Sequence, residues 1–260
     1  MPHAATLATT TTGRADACIA CATSPARDFA ITMAFQPIVN VDTGRPYAYE
    51  ALVRGTDGAG AGAVIAAVGC DAIYAFDQAC RVKAIGLAAE LGLADTGALL
   101  SINFLPNAVY EPRACIRRTL VAAKRHDFPL DRLMFELSET ERLADDDHLA
   151  HIVREYRSMG FTTAIDDFGA GHSGLGLLAR FRPDAIKIDM QLVRDIDGDP
   201  ARRAIVRSIV SLTRELGVTI IAEGIETRAE SEALARLGVV LQQGYRFARP
   251  ALEALPAIAA

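Results

Sequence analysis

Acidic, amide and lysine side chains recur where short apolar runs of this chain end. The run 46–53 contains Glu50, and the next two runs end near Asn103 and Glu136. The later members of the series are Asp166, Asp167, Lys187, Glu223 and Gln243. One such residue would more often begin a loop or cap a helix, but capping alone does not explain a whole series. If the runs are parallel strands of a barrel, their ends meet at one rim and the series forms a single site.

The charge of this series indicates a site for divalent cations. Its five carboxylates belong to Glu50, Glu136, Asp166, Asp167 and Glu223. Like charges a few ångströms apart cannot all stay ionised without compensation, and Lys187 supplies only one positive charge. The ligands would be oxygen atoms, and no histidine ends a run, so Mg²⁺ or Mn²⁺ fits better than zinc. Two such ions about 3.5–4 Å apart, bridged by one carboxylate, can cleave phosphodiesters.

The elements that would position these side chains alternate along the chain. The apolar or β-branched runs are 31–40, 46–53, 99–104, 133–138, 162–166, 185–189, 218–222 and 239–245. Helical periods lie between most of them, and one places Ile205, Ile209, Leu212 and Leu216 on a single face. This alternation predicts parallel βαβ units, and eight strands fit a closed barrel better than an open sheet.

The first two runs differ from the rest because only Asp42-Thr-Gly44-Arg-Pro separates them. This segment is too short for a helical crossover, so it predicts an antiparallel hairpin. The predicted fold class is therefore α/β, a modified (β/α)₈ TIM-like barrel with one antiparallel strand.

Composition and charge exclude some classes of partner and favour one cellular compartment for this protein. Hydrophobic residues make up 51% of the 260 residues and charged ones 23%, which excludes collagen, coiled coils and bulk disorder. A net charge of −5 without a Lys/Arg cluster argues against a nucleic-acid polymer as partner. No apolar stretch approaches the ~18 residues of a membrane span, and the N-terminus lacks a signal-peptide pattern. We therefore expect no membrane partner and a cytoplasmic location.

The N-terminal residues 1–27 are rich in Ala and Thr and have no apolar period, which predicts a flexible tail. Residues 28–260 are predicted to form one domain. The five cysteines form no disulfide framework. Cys18 and Cys21 in the tail are interpreted as a reduced thiol pair. Cys70, Cys80 and Cys115 are expected to pack as small buried hydrophobes.

A glycine motif offers a competing interpretation. Gly169-Ala-Gly171-His-Ser-Gly174 follows a predicted strand, and Asp189 comes about 20 residues later, which outlines a dinucleotide-binding fingerprint. Asp166 and Asp167 would repel an incoming pyrophosphate, however, and the acidic residues at the ends of the other predicted strands would have no role. The acidic series is therefore favoured over a nicotinamide oxidoreductase.

Short motifs follow one another in a specific order between residues 33 and 250. They are Phe35-Gln-Pro-Ile38, Glu50-Ala-Leu52-Val-Arg54, Asn103, Phe135-Glu136-Leu-Ser-Glu139, Asp166-Asp167-Phe-Gly169, Lys187-Ile-Asp189, Ala222-Glu223-Gly-Ile-Glu226-Thr227 and Gln243-Gly-Tyr245. This ordered series resembles the EAL-domain phosphodiesterases, which linearise cyclic di-GMP to pGpG. The resemblance implies that 28–260 is an EAL domain, a modified (β/α)₈ barrel with one antiparallel strand, in agreement with the hairpin.

The resemblance also implies two metal sites, occupied by Mg²⁺ or Mn²⁺. Glu50, Asn103, Glu136 and Asp166 would hold one ion. Asp166, Asp167 and Glu223 would hold the second. A water shared by the two ions would attack phosphorus in line.

Further roles follow from the same resemblance. Lys187, Glu50, Asp166 and Gln243 would act in catalysis, with Lys187 orienting the water and offsetting phosphoryl charge. Arg54 would clamp a phosphate, and Gln36 and Leu52 would also contact cyclic di-GMP. Glu139, Asp189 and Glu226 would support the loops, and Glu139 would also favour pairing of two barrels as a homodimer. The alternative is a non-catalytic cyclic di-GMP receptor, although the sequence keeps all the ligand positions and the lysine.

Overall fold

The computed structural model describes residues 29–69, 72–106, 109, 111–138, 146–171 and 174–259. The predicted tail 1–27 with Cys18 and Cys21, and also Cys70, Glu139 and His172, lie outside these residues. Of the other cysteines, Cys115 is buried as predicted, whereas Cys80 is only half-buried.

Among the residues that the structure describes, nine β-strands form one sheet that closes on itself. They are β1 (Ile31–Asn40), β2 (Arg45–Gly55), β3 (Leu99–Asn103), β4 (Leu133–Ser138), β5 (Thr162–Phe168), β6 (Ala185–Ile188), β7 (Thr219–Ala222), β8 (Leu241–Gln242) and β9 (Ala251–Leu252). Strands β2 to β8 pair in sequence order and in parallel. Strand β1 closes the barrel between β8 and β2 and runs antiparallel to both, while the short β9 adds to its edge. The predicted fold class is confirmed.

The hairpin between β1 and β2 is also confirmed, and its turn has a local cause. The side chain of Asn40 accepts hydrogen bonds from the backbone N–H groups of Asp42 and Thr43, at 3.0 and 3.2 Å. Gly44 then adopts φ +66°, a left-handed conformation that glycine tolerates without strain. The resulting register places Gln36 opposite Glu50, so the hairpin sets two predicted site residues side by side.

Nine α-helices connect or flank the strands among the described residues. They are α1 (Ala61–Ala66), α2 (Ile73–Glu90), α3 (Pro112–Cys115), α4 (Arg117–Arg125), α5 (Asp146–Ser158), α6 (Gly174–Phe181), α7 (Met190–Val193), α8 (Pro200–Leu216) and α9 (Arg228–Arg236). Aromatic packing joins the α5 layer to the barrel, since Tyr156 lies 5.1 Å from the Phe135 ring on β4. Within the part of the chain that the structure describes, none of these helices has the length and apolarity needed to cross a membrane.

Candidate active site

The carboxyl ends of the parallel strands meet at one rim, and the predicted acidic series lies there. A cleft of about 360 Å³ opens at this rim. Its lining includes Gln36, Glu50, Leu52, Asp167, Asp189, Glu223, Glu226, Gln243 and Tyr245. The fold therefore brings together residues that are up to about 200 positions apart in sequence.

Five carboxylates form two overlapping groups at this rim. Oxygens of Glu50, Glu136 and Asp166 lie within 4.8 Å of one another, and so do oxygens of Asp166, Asp167 and Glu223. Asp166 is common to both groups. These are the acidic members of the two ligand sets that the family resemblance implied.

A break in the regular strand brings two consecutive aspartates to the same site. Neighbouring residues of a strand normally point to opposite faces. Between Ile165 and Phe168, however, the pairing of β5 with β6 is irregular, and Asp167 adopts φ +55°. This left-handed conformation is costly for a non-glycine residue and is typical of functional positions. It allows Asp166 and Asp167 to contribute to one carboxylate group.

The ammonium of Lys187 lies at the centre of the cluster and is fully buried. Its Nζ atom is 2.6 Å from Glu223, 2.8 Å from Glu136, 3.1 Å from Asp166 and 3.5 Å from Glu50. One positive charge thus faces four carboxylates, which leaves the cluster negatively charged.

Burial and crowding change the protonation of this cluster. Burial, followed by the nearby Glu50 and Asp166, raises the pKa of Glu136 to about 8 despite the ammonium of Lys187. Burial also raises the pKa of Glu223 well above its usual range, and raises that of Asp167, with Asp166 adding to the effect. Burial alone would lower the pKa of Lys187, but the surrounding carboxylates outweigh it and raise that pKa well above its usual range.

Amide side chains fix the orientation of Glu50. Asn103 donates to its Oε1 at 3.0 Å, and Gln243 donates to its Oε2 at 2.7 Å. Gln243 also lies 3.3 Å from Gln36, whose own amide donates to the Ala248 carbonyl at 3.1 Å. Three of the predicted residues are therefore parts of one hydrogen-bond network around a carboxylate.

The loops after β7 and β8 interlock beneath the cleft. The N–H of Ile225 donates to the Gln243 carbonyl at 3.1 Å, and Gly244 lies so close to the Ile225 backbone that a Cβ would be 2.0 Å from its carbonyl oxygen. Helix α9 begins immediately after, with a capping box between Thr227 and Glu230. These contacts hold Glu223 and Gln243 on neighbouring loops.

The predicted supporting residues have distinct surroundings. Asp189 caps α7 by accepting from the Gln191 N–H at 2.8 Å. Glu226 is exposed and forms an ion pair with Arg194 at 2.7 Å. Both residues line the cleft, although Asp189 is buried and Glu226 is exposed.

Two of the predicted substrate residues share a strand but not an environment. Leu52 is one of the described residues that line the cleft, whereas Arg54 is not. The Arg54 guanidinium donates to the Val53 carbonyl at 2.8 Å. A phosphate contact would require this side chain to turn away from its own strand.

The donor chemistry fits divalent metal ions. The candidate ligands are oxygen atoms from carboxylates and one amide, and their summed charge exceeds what Lys187 offsets. The buried Oδ1 of Asp166, the residue common to both groups, has an ion-pair contact with the Lys187 ammonium at 3.1 Å but accepts no hydrogen bond of normal geometry from the described residues. Hard cations such as Mg²⁺ and Mn²⁺ prefer this kind of site.

Sequence reasoning did not assign a role to two serines beside the acids. Ser101 donates to Glu136, and Ser138 lies 3.3 Å from the Asp167 carboxylate. Strand periodicity could have placed Ser101 beside the site, because it lies two residues before Asn103 and therefore on the same strand face. Ser138 has a similar relation to Glu136.

Fold and site together define a (β/α)₈-type barrel with an acidic, oxygen-only candidate metal site at its carboxyl-end rim. The model of the EAL domain family matches residues 24–250, and the chain belongs to that family. Family membership, with the closed barrel, favours the acidic-rim interpretation over dinucleotide binding by the glycine loop 169–174.

The solved structures that are similar over most of the chain include two EAL proteins in complexes with cyclic di-GMP. One is a standalone versatile EAL protein from Vibrio cholerae O395 in its cyclic di-GMP-bound form, 52% identical, with a TM-score of 0.86 over 90% of this chain and 97% of that one. The other is Klebsiella pneumoniae BlrP1 in a manganese and cyclic di-GMP complex, 36% identical, with a TM-score of 0.81 over 88% of this chain and 58% of that one.

The curated relatives that carry functional names include a phosphodiesterase and an antirepressor. Cyclic di-GMP phosphodiesterase RocR from Pseudomonas aeruginosa is 34% identical over 65% of this chain and 43% of RocR. The blue light- and temperature-regulated antirepressor BluF from Escherichia coli is 30% identical over 87% of this chain and 56% of BluF. The chain thus spans about half the length of these two relatives.

Proposed function

We propose that this chain is a metal-dependent phosphodiesterase that hydrolyses cyclic di-GMP to linear pGpG. The observation that carries the proposal is the pair of carboxylate groups that share Asp166 at the barrel rim. Cyclic di-GMP complexes of similar EAL structures and the name of RocR support the substrate. The manganese complex of BlrP1 supports a divalent cofactor.

The proposal assigns two ions, Mg²⁺ or Mn²⁺, to the two groups. Glu50, Asn103, Glu136 and Asp166 would hold the first, and Asp166, Asp167 and Glu223 the second. When bound, such ions supply an activated water and neutralise charge on the phosphodiester.

The side chains around these groups would orient the ligands, compensate charge and contact the substrate. Lys187 is buried against the carboxylates, so its fixed positive charge would offset charge on the phosphoryl oxygens. Gln243 would keep Glu50 oriented through its hydrogen bond. Gln36 and Leu52 line the cleft where the substrate would lie, and Arg54 would bind a phosphate after leaving the Val53 carbonyl.

A non-catalytic receptor for cyclic di-GMP is the second candidate, and the antirepressor name of BluF favours it. A receptor needs the cleft but not the charged cluster. Five acids, with a buried lysine among them, are expensive to keep in a partly dry site without a role in metal binding. We therefore rank hydrolysis first.

One assay separates these functions. The chain is incubated with cyclic di-GMP and Mg²⁺ or Mn²⁺, and pGpG is measured by chromatography, beside Glu50→Ala and the exposed-site control Glu232→Ala. Turnover by the unaltered chain and Glu232→Ala, with none by Glu50→Ala, is the expected result. Binding without turnover would identify a receptor. If the chain showed no binding and no turnover, both functions would be contradicted.

With Ca²⁺ alone we expect binding without cleavage, because Ca²⁺ prefers longer bonds and looser coordination.

Location and assembly complete the proposal. We propose that the domain acts in the cytoplasm, and the free thiols of Cys80 and Cys115 agree with a reducing compartment. We also propose that two barrels pair as a homodimer. Sedimentation velocity with and without cyclic di-GMP tests the pairing.

A further inference from the structure

Ser101 is a fully buried hydroxyl residue inside the barrel, close to the end of β3. In the sheet register it lies beside Glu50 on β2 and beside Met134 on β4. Strand alternation turns its side chain to the same face as Asn103, two residues later. The hydroxyl is therefore enclosed among the strands that carry the candidate metal ligands.

The hydroxyl of Ser101 donates a hydrogen bond to Oε1 of Glu136. The other oxygen, Oε2, accepts from the Lys187 ammonium at 2.8 Å. Glu136 is itself fully buried, so no solvent replaces a lost partner. In the ionised form that binds a cation, each oxygen has one donor, and the carboxylate cannot rotate without losing a buried hydrogen bond.

Only one of the two oxygens of Glu136 faces the cluster. The ammonium beside Oε2 also contacts Glu50, Asp166 and Glu223, which places Oε2 toward the other carboxylates. Oε1 is directed back to the β3 hydroxyl. Ser101 therefore determines which oxygen of Glu136 remains available to a cation.

We propose that Ser101 is a positioning residue for the cation site of Glu50, Glu136 and Asp166, because it holds Oε1 of Glu136 and keeps Oε2 directed at the ion. The inference rests on the proposed function, since it requires a divalent cation at the rim. Hydrogen-bond partners behind metal ligands typically change metal affinity about 10–100-fold when they are removed.

A purely structural role is the competing explanation, in which Ser101 only satisfies a buried acid. A matched control in the same barrel separates the two roles. Thr163 on β5 is also a buried strand hydroxyl, and it donates to the Asp184 carboxylate at 2.8 Å. That contact lies before β6, at the opposite end of the strands from the candidate site. Removing it should affect stability without affecting cation binding.

The experiment measures Mn²⁺ binding by calorimetry on the full chain, with no nucleotide present. The variants are Ser101→Ala, Ser101→Cys and Thr163→Val, and the melting temperature without metal is recorded for each. We expect Ser101→Ala to weaken Mn²⁺ binding about 10–100-fold. Thr163→Val should bind Mn²⁺ like the unaltered chain. If Ser101→Ala does not fold, the nearly isosteric Ser101→Cys, a weaker donor, decides by the same comparison.

Two results would overturn the inference alone: unchanged Mn²⁺ affinity in Ser101→Ala, or an equal loss in Thr163→Val. In both cases the unaltered chain still binds Mn²⁺, so the proposed function stands. If the unaltered chain binds no Mn²⁺, the proposed function fails, and this inference fails with it.

Discussion

At the scale of single residues, Lys187 supplies the positive charge that faces the carboxylates at the barrel rim. Its ammonium is fully buried and compensates part of the charge of Glu50, Glu136, Asp166 and Glu223. Burying a charged group is costly, and removing one partner of a buried pair leaves the others uncompensated. Without Lys187, the four acids would have to bind protons or a cation to remain in this site.

Replacement of Lys187 by methionine is therefore expected to lower the free energy of unfolding of the metal-free protein by about 3–5 kcal/mol. Mn²⁺ should restore more stability to this variant than to the unaltered chain, because the ion replaces the missing positive charge. Urea unfolding with and without Mn²⁺ measures both effects, and Lys83→Met, at an exposed position of α2, is the control. A metal-free Lys187→Met as stable as the unaltered chain would show that the acids need no compensation.

The raised pKa of Glu136 predicts how pH and metal binding are linked. A carboxyl with a pKa of about 8 in the fold, against an ordinary glutamate pKa of 4.5, keeps its proton between these values only in the folded state. The metal-free protein should therefore lose stability as pH rises through this window. A metal ligand must be deprotonated, so cation affinity should instead rise toward pH 8 and then level off.

Titrations of Mg²⁺ at pH 6, 7, 8 and 9 check this linkage. We expect affinity to increase by up to about tenfold per pH unit below 8, with proton release at pH 7 in buffers of different ionisation enthalpy. Glu136→Gln, which cannot titrate, should lose this part of the pH dependence. Equal affinities at pH 6 and 8 would contradict the protonated state of Glu136.

At the scale of elements, the sequence predicted the strands better than the helix faces. The run 133–138 coincides with β4, whereas the run 239–245 contains only the two residues of β8. The predicted apolar face of α8 coincides only partly with its buried one. Ile205 is 46% exposed, because the buried stripe follows Val206, Ile209, Val210 and Thr213. Two adjacent hydrophobic stripes on one helix satisfy the same periodicity, and only packing against the barrel selects between them.

The candidate site shows the same limit. Strand ends could be located from apolar runs, so the acids at the rim could be predicted to converge. The left-handed Asp167 and the hydrogen bond from Ser101 to Glu136 could not, because both depend on strand register and on tertiary contacts. The amide of Gln243 reaches Glu50 across 193 residues of sequence for the same reason.

The interlocked loops after β7 and β8 yield a prediction at this scale. In Gly244→Ala, the new Cβ would lie 2.0 Å from the Ile225 carbonyl oxygen and 2.3 Å from its nitrogen. The loops must separate, which should cost roughly 1–3 kcal/mol of stability and displace Gln243 from Glu50. Thermal unfolding and cyclic di-GMP affinity measure the two effects.

Gly62→Ala is the matched control for that variant. Gly62 lies in α1, and its added Cβ would meet nothing within 4 Å. Gly62 is the second residue of this helix, so the substitution should leave stability unchanged or raise it by less than the about 0.5–1 kcal/mol of a mid-helix glycine. If Gly244→Ala were as stable as the unaltered chain, the two loops would not be tightly coupled.

At the scale of the whole molecule, closure of the barrel depends on where β1 begins. Ile31 starts a strand that pairs with β2 along its length and with β8 at its far end. Phe29 precedes that strand, and its ring packs edge-on against Phe76 of α2, with centroids 5.4 Å apart. The Ala30 carbonyl also accepts from the Thr56 N–H at 3.0 Å. The contacts that secure β1 thus extend to Phe29.

Two truncations that differ by three residues test this boundary. Removal of residues 1–27 should leave the melting temperature and the turnover of cyclic di-GMP unchanged, because the predicted tail has no core-forming period and no acid of the candidate cluster. Removal of residues 1–30 also deletes Phe29 and exposes part of the Phe76 ring, which is 4% exposed in the intact chain. That loss should cost roughly 1–3 kcal/mol and lower the melting temperature by several degrees.

A large loss of turnover in the shorter truncation would mean that the first 27 residues pack against the barrel. Equal melting temperatures for the two truncations would mean that Phe29 does not secure β1.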